Sequence, residues 1–212
     1  MKENELPENI PIFPLSGAIF FPKTILPLNI FEDRYIQMVS DCMKGQRVFG
    51  MVQPKNKFGK MPEVYQVGCL GKIVSFNETS DKRFVISLSG IIRFKIKEEL
   101  KKEKLYRTFN VDYKNFLNDL SDTENQKVIF DTDSLINKTK LYFERSNYII
   151  NYAELKKLNL DQLISTICMI SPFSIEEKQK LVETIKIEDK FKALDQIINF
   201  NLLEFEENKT FQ

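Results

Sequence analysis

The chain has 212 residues, of which 42% are hydrophobic and 29% are charged, and its net charge is +1. That length allows one or two globular domains with a real core, and the balanced charge gives no global field to attract nucleic acid or an anionic membrane. The absence of histidine excludes Ser-His-Asp and Cys-His nucleophiles and every metal site that needs imidazole.

The segment before residue 32 is apolar and repeatedly interrupted by proline. The prolines are Pro11, Pro14, Pro22 and Pro27. Because proline cannot donate to a β-ladder, we expect it at strand starts, edges or bulges. The segment therefore predicts three short strands, at residues 10–13, 18–21 and 25–30, with a turn at Gly17.

An amphipathic helix is predicted next. The apolar residues that share one helical face are Phe31, Tyr35, Met38, Val39 and Cys42. Glu32 and Asp33 lie in its first turn, where the helix dipole favours negative charge, and Gly45 follows its end.

Strands dominate the chain from there to about residue 113. Residues 47–52, 68–76, 83–89, 91–96 and 106–113 are the predicted strands, with a loop at residues 53–63 and Gly90 separating two of them. Apolar and polar residues alternate in several of them, which favours a half-buried antiparallel sheet or small barrel.

The second half is predicted to be helical, since glycine disappears after about Asp119. The apolar faces of three predicted helices are Val128, Thr132, Leu135, Ile136, Thr139 and Phe143; Leu160, Leu163, Ile164, Ile167 and Cys168; and Phe191, Leu194, Ile197, Ile198 and Leu202. Ser174 and Glu177 have the spacing of a capping box. The chain therefore predicts an α+β protein, with limits at residues 1–118 for the β-rich part and 119–212 for the helical part.

No pattern of reactive residues indicates catalysis. A nucleotide P-loop motif is absent, and no GxGxxG follows a strand. The acidic residues Asp131, Asp133, Glu176, Glu177, Glu206 and Glu207 are interpreted as helix-terminal or solvated, and no spacing suggests a Ser–Lys dyad. We predict no catalytic residue, no metal site and no cofactor.

The cysteines and the N-terminus bear on location. Cys42, Cys69 and Cys168 are far apart with no CxxC, which favours buried thiols in a reducing compartment. No signal peptide precedes Ile10, and no apolar run approaches the roughly 20 residues of a membrane span. The expectation is a cytoplasmic protein without a membrane segment.

Three stretches stand out in the first half: IPIFPLSGAIFFPKTILPLNIFEDRYIQMV at residues 10–39, RVFGMV at 47–52 and VYQVGCLGKIVSF at 64–76. Their order resembles the N-terminal substrate-binding domain of the Lon ATP-dependent protease family. RFVISLSGIIRFKI follows at 83–96, and PFSIEEKQKLVE at 172–183 is a weaker match. Residues 67–73 read VGCLGKI where the family has V-G-T-x-A-x-I. The chain is also similar to small bacterial proteins that consist of that domain alone.

The resemblance implies a PUA-like β pseudobarrel followed by a C-terminal α-helical bundle. It also implies a non-catalytic module that binds unfolded or degron-bearing polypeptides in protein quality control, without the ATPase and Ser–Lys protease modules of the full protease. Two alternatives stay open. One is an RNA-binding PUA-like protein, for which Arg83, Arg93 and Lys95 with Phe84 and Phe94 come nearest to a basic, aromatic surface, although the balanced net charge makes nucleic acid a poor partner.

The other alternative is an adaptor that docks on a protease, or on a second copy, through its helical half. Phe200, Leu202, Leu203 and Phe205 are the candidate contacts.

The candidate peptide-binding residues lie in the proline-interrupted segment and at the start of the helix. They are Phe20, Phe21, Leu26, Leu28, Phe31, Glu32, Arg34 and Tyr35. The apolar members would form a groove beside a strand edge that takes an extended peptide by strand addition. The competing interpretation is that the apolar residues are barrel core, and that Glu32, Arg34 and Tyr35 are a first-turn charge, an ion-pair partner and a packed ring.

Overall fold

The computed structural model describes residues 1–55, 63–101, 104–121 and 130–210, with side chains as far as residue 205. The chain forms two compact units, Met1–Asp122 and Thr123–Gln212. In the described residues, the first unit is built mainly of strands with one α-helix and two short 3-10 helices, and the second is built of helices, which confirms the predicted α+β class. Residues 122–129, between the units, lie outside the described residues, so the limits 1–118 and 119–212 stay a prediction.

The first unit is a PUA-like pseudobarrel. Its elements are β1 (Asn9–Pro14), β2 (Ile25–Ile30), α1 (Asp33–Met43), β3 (Val48–Val52), β4 (Val67–Glu78), β5 (Phe84–Glu99) and β6 (Arg107–Asp112). Strand order is β2-β5-β4-β3-β1-β6, and the C-terminal part of β5 also pairs with β6, which closes five strands into a ring. Strand β2 lies outside that ring, paired with the N-terminal part of β5.

The barrel core is apolar and contains one buried ion pair. Among its buried residues are Ile10, Ile12, Leu70, Ile92, Phe94, Phe109 and Val111. Arg93 is only 2% exposed, and its Nη2 lies 2.8 Å from Asp119 Oδ1. Its backbone N–H and Nε both donate to Asp119 Oδ2. These bonds hold the 3-10 helix Lys114–Leu120 against β5.

Two strand predictions are wrong: one predicted strand does not form, and one predicted break lies within a continuous strand. Residues 18–21 form no strand, because their backbone lies over the sheet and their side chains fill space above it. A Cβ at residue 71 would lie 2.6 Å from Phe20 Cε1, and one at residue 90 would lie 2.0 Å from the Phe21 carbonyl oxygen. Gly90 therefore does not separate two strands. It lets this segment approach one continuous strand, β5, at the position where the sequence suggested a break.

The second unit contains α2 (Thr132–Arg145), α3 (Tyr152–Leu155), α4 (Leu160–Ile170), α5 (Ile175–Glu183) and α6 (Ile187–Thr210). Among the described residues, the predicted apolar faces of α2, α4 and α6 supply 10 of the 17 buried hydrophobic residues of this unit. Ser174 and Glu177 form the predicted capping box, with Ser174 Oγ accepting from Glu177 N–H and Glu177 Oε2 accepting from Ser174 N–H. Asp131 caps α2 by accepting from Ser134 N–H. Val128 and the side chains of Glu206 and Glu207 lie outside the described residues.

Candidate functional site

Strand β2 provides a sheet edge in the region that the sequence nominated. It pairs antiparallel with β5, from Ile25 opposite Ser89 to Ile30 opposite Phe84, with no register shift. Among the described residues, β2 pairs with no other strand. Side chains alternate along a strand, so Leu26, Leu28 and Ile30 share the inner face, while Ile25, Pro27 and Asn29 share the outer face.

The backbone direction of β2 follows from one hydrogen bond at its start. Gly90 N–H donates to the Thr24 carbonyl at 2.9 Å, which makes Thr24 and Gly90 a hydrogen-bonded pair. Hydrogen-bonded and non-hydrogen-bonded pairs alternate along an antiparallel ladder. The main-chain groups of Leu26, Leu28 and Ile30 therefore form hydrogen bonds to β5. Those of Ile25, Pro27 and Asn29 point to the outer edge. Pro27 thus occupies a position where its missing N–H costs no bond to β5.

Strands β2, β5 and β4 lie side by side in this part of the sheet. Large apolar side chains are exposed on the outer face of this three-stranded region. Ile25 is 64% exposed, Phe31 62%, Val74 56% and Val85 43%. Val85 lies on β5 opposite Asn29, and Val74 lies at a register shift in β4. The Arg83 guanidinium lies 5.9 Å from the centroid of the Phe31 ring and is paired with Asp81. We call Ile25, Phe31, Val74 and Val85 the edge patch.

The structure distributes the apolar members of the predicted site over three environments. Phe20, Phe21 and Leu28 are buried, so their side chains face the interior and offer no surface to a ligand in this conformation. Leu26 is half-buried, on the inner face of the edge strand. Phe31 is exposed and precedes α1, so its predicted place on the buried helical face is wrong. The assignment of these residues to ligand binding stays a prediction.

The polar members of the predicted site form a small cluster at the start of α1. Arg34 Nη2 lies 2.7 Å from Glu32 Oε2, and the Arg34 guanidinium lies 4.5 Å from the centroid of the Tyr35 ring. The Tyr35 ring is buried against Phe13, with ring centroids 4.4 Å apart in an edge-to-face arrangement. Burial raises the pKa of Tyr35, so its hydroxyl stays neutral at physiological pH. Glu32 and Arg34 lie beside the edge strand, and Tyr35 anchors the helix.

Sequence reasoning missed three members of the edge patch. It nominated neither Ile25, Val74 nor Val85, because each belongs to a run that reads simply as strand. One signal was present in the sequence: Phe84, Ile86 and Leu88 alternate with Val85 in the predicted strand at residues 83–89, which puts Val85 on the opposite, polar side. A single apolar residue on the outer face of a strand is common, so only its place beside Ile25, Phe31 and Val74 makes a patch.

The described residues give little support to a basic surface at Arg93, a reactive thiol or a metal site. Arg93, nominated for a basic surface, is buried and paired with Asp119. Burial raises the pKa of Cys42 and of Cys168 to about 12, so neither is a thiolate nucleophile. No group of three or more cysteine or acidic side chains in the described residues is arranged to hold a metal ion. Within the same part of the chain, no helix has the length and apolarity needed to cross a bilayer.

A family model matches most of the chain. The model for the ATP-dependent protease La (LON) substrate-binding domain matches residues 9–199. The chain belongs to this family. The match includes both the pseudobarrel and most of the helical unit, and the matched model is the substrate-binding domain of the protease.

Curated relatives are Lon proteases that are several times longer than this chain. The chain is 27% identical over 210 residues to a Lon protease of Desulfosudis oleivorans, covering 94% of this chain and 25% of the relative. It is 24% identical over 213 residues to a Lon protease of Syntrophus aciditrophicus, covering 93% of this chain and 26% of that protein. The chain thus spans about a quarter of the length of the curated relatives that it matches.

Solved structures of Lon N-terminal domains share the fold. A Lon N-terminal domain protein from Xanthomonas campestris superposes with a TM-score of 0.62 at 17% identity, over 88% of this chain and 96% of that one. The N-terminal domain of a Mycobacterium avium complex Lon protease gives 0.60 at 12% identity, over 90% of this chain and 98% of that one. At these identities the likeness supports the Lon N-domain fold, and the ligand must be argued from the surface.

Proposed function

We propose that this chain is a non-catalytic module that binds unfolded or degron-bearing polypeptides through the edge patch, as part of protein quality control. The observation that carries the proposal is the coincidence of exposed Ile25, Phe31, Val74 and Val85 with the outer edge of β2. Membership of the Lon substrate-binding family supports the same ligand class.

The energetics suit a ligand of low sequence specificity. Covering an exposed aliphatic or aromatic side chain contributes roughly 1.5–3 kcal/mol before the cost of ordering the ligand. An unfolded chain pays a large ordering cost, so a few such contacts give weak, reversible binding. Weak binding that depends on apolarity, and little on salt, is the behaviour expected of a surface that samples many clients.

The helical unit supports a second candidate, an adaptor surface. Phe200 is 60% exposed and Leu203 is 59% exposed, and both lie on one side of the C-terminal half of α6. Residues three apart on a helix are neighbours, so these two form an apolar pair at the surface. Docking on a protease or on a second copy would use that pair instead of the edge patch.

Matched substitutions in the two units discriminate these candidates. Phe31→Ser and Phe200→Ser each replace a phenylalanine that is about 60% exposed with a small polar residue. The probe is reduced, iodoacetamide-alkylated α-lactalbumin, a permanently unfolded protein, with binding measured by fluorescence anisotropy. We expect Phe31→Ser to weaken binding roughly ten-fold and Phe200→Ser to leave it within about two-fold, because only Phe31 belongs to the edge patch.

The opposite result would overturn the assignment. Loss of binding in Phe200→Ser alone would place the contact on the helical unit. Robust hydrolysis of ATP or casein by the purified chain would contradict a non-catalytic module. A steep fall of RNA affinity with salt, without polypeptide binding, would favour the RNA alternative.

A further inference from the structure

The geometry points to a specific mode of recognition: an uncharged, extended polypeptide segment adds to the outer edge of β2 as a further strand. This inference rests on the proposed function and assigns it a main-chain mechanism. In strand addition, hydrogen bonds to the backbone supply much of the affinity, and alternate side chains contact the surface.

The main-chain groups of β2 supply the template. Ile25 and Asn29 each direct an N–H and a C=O to the outer edge, and Pro27 between them directs a C=O alone, as the Thr24–Gly90 pair requires. In the described part of the chain none of these three residues pairs with a second strand. An antiparallel segment in register with the three residues would therefore form five hydrogen bonds instead of six, and every second ligand residue would point its N–H at β2.

The absence of charged residues in this region favours an uncharged segment as the ligand. Residues 24–31, 73–77 and 84–92, which form this region of the three strands, include no Asp, Glu, Lys or Arg. Charged residues border it at its two ends. Lys23, Arg93 and Lys72, which pairs with Ser89, lie at one end, and Glu32, Arg83 and Glu78, which pairs with Phe84, lie at the other. A charged ligand side chain in the central region would lose hydration without gaining a partner, so the complement of this surface is an uncharged segment.

Pro27 argues against a second copy of this chain as the occupant. In a symmetric antiparallel pairing of two β2 edges about their centre, Pro27 would face Pro27 of the other copy. Neither could donate, so two of the six ladder bonds would be lost. Proline on an exposed edge is one of the ways in which proteins limit self-association. A flexible ligand loses only one bond at this position.

N-methylated peptides test the mechanism directly. The parent probe is a nine-residue peptide of alternating valine and threonine, followed by a glycine spacer and two lysines for solubility. One derivative is N-methylated on every valine and the other on every threonine, so each lacks the N–H groups of one edge. We expect one derivative to bind within about two-fold of the parent and the other to bind at least ten-fold more weakly, because only one edge of the ligand bonds to β2.

A pair of protein variants tests the same ladder by removing a hydrogen-bond donor on β2 instead of donors on the ligand. Asn29→Pro and Asn29→Ala both remove the exposed amide side chain, but only proline also removes the outward N–H. The Asn29 N–H makes no bond to β5, so proline at residue 29 removes no bond within the sheet, and the melting temperature of Asn29→Pro checks that the fold is kept. We expect Asn29→Ala to bind the parent probe like the original chain, and Asn29→Pro to bind roughly two- to ten-fold more weakly.

The outcomes separate this inference from the proposed function. If the parent probe binds and both derivatives bind alike, strand addition is overturned while polypeptide binding stands. If neither the parent probe nor alkylated α-lactalbumin binds, the proposed function fails as well. A concentration-dependent dimer of the original chain that Asn29→Pro dissociates would make a second copy the occupant and overturn the inference.

Discussion

Residues 18–24 and residues 25–31 have similar apolar content, but the first stretch has no exposed residue, whereas the second alternates buried Leu28 and Ile30 with exposed neighbours. In the first stretch Phe20 and Phe21 are buried, whereas in the second Ile25 and Phe31 are more than 60% exposed. Each stretch contains one proline. The difference arises from what lies opposite each stretch, because the first packs over the sheet and the second forms its edge.

Two glycines explain why the first stretch is buried. Gly71 leaves room for the Phe20 ring and Gly90 leaves room for the Phe21 backbone. Thr24 then closes the segment by donating from Oγ1 to the Phe21 carbonyl at 2.6 Å. Beyond Thr24 the chain joins β5 as an edge strand, so one face and one edge stay at the surface. Apolarity alone does not determine burial here; the small residues on the facing strands do.

The largest expected effect is from Phe21→Ala, which tests whether the first stretch is core. Phe21 is fully buried, and removing a buried phenylalanine ring costs about 3–5 kcal/mol from lost transfer energy and the cavity that is left. We expect a large drop in the melting temperature of the first unit by differential scanning calorimetry.

The matched control is Phe31→Ala, in the second stretch. A solvent-exposed phenylalanine contributes little to the folded state, so we expect the free energy of unfolding to change by no more than about 0.5 kcal/mol. Equal destabilisation by the two substitutions would show that Phe31 is core as well. The edge patch would then have no separate role.

Gly71→Ala tests the contact that defines the difference. The new Cβ would lie 2.5 Å from Leu88 Cγ and 2.6 Å from Phe20 Cε1, so both side chains must move. Overpacking of this kind costs about 1–3 kcal/mol. We expect faster hydrogen exchange of residues 19–21 and of the facing part of β5. Gly17→Ala is a contrasting control, because nothing lies within 4 Å of its added Cβ and any cost there comes from its positive φ of 75°.

Much of this fold follows from local sequence rules. Short apolar stretches bounded by proline predicted β1 and β2, alternating apolar residues predicted β6 and the first part of β5, and the 3.6-residue period with capping signals predicted α1, α2, α4, α5 and α6. The burial of all three cysteines also matches expectation. These features depend on neighbours in sequence, which is the information that periodicity contains.

The errors arise where contacts between distant segments decide the structure. Gly90 looks like a strand break until the backbone of Phe21 is placed over it. Phe31 fits a helical period with Tyr35, yet α1 begins only at Asp33 and Phe31 faces solvent. For the candidate site, the sequence nominated the segment that forms the edge strand and, of the edge patch, only Phe31. The buried and exposed faces of these strands could be assigned only once the pairing of β2 with β5 was known.

The smallest expected effect concerns how α1, which follows the exposed stretch, is held to the barrel. Lys104 Nζ and Tyr106 Oη both donate to Asp41 Oδ2, at 2.9 and 3.0 Å. The hydrogen bond from Lys104, and then that from Tyr106, lower the pKa of Asp41. A carboxylate with a lowered pKa stabilises the fold fully above its ordinary pKa, and that stabilisation is lost as pH falls through the lowered value.

Asp41→Asn keeps the shape of the side chain and removes its charge. At neutral pH we expect a loss of about 0.2–1 kcal/mol, the range of a solvent-screened ion pair, and a smaller loss in high salt. As pH falls from about 5 to below the lowered pKa, the melting temperatures of the variant and the original chain should converge, because both then lack the charge. Glu154→Gln, at an exposed pair with Lys157, is the control. A constant difference at all pH values would mean that it arises from the hydrogen bonding of the amide and not from the carboxylate charge, so that this ion pair does not hold α1 to the barrel.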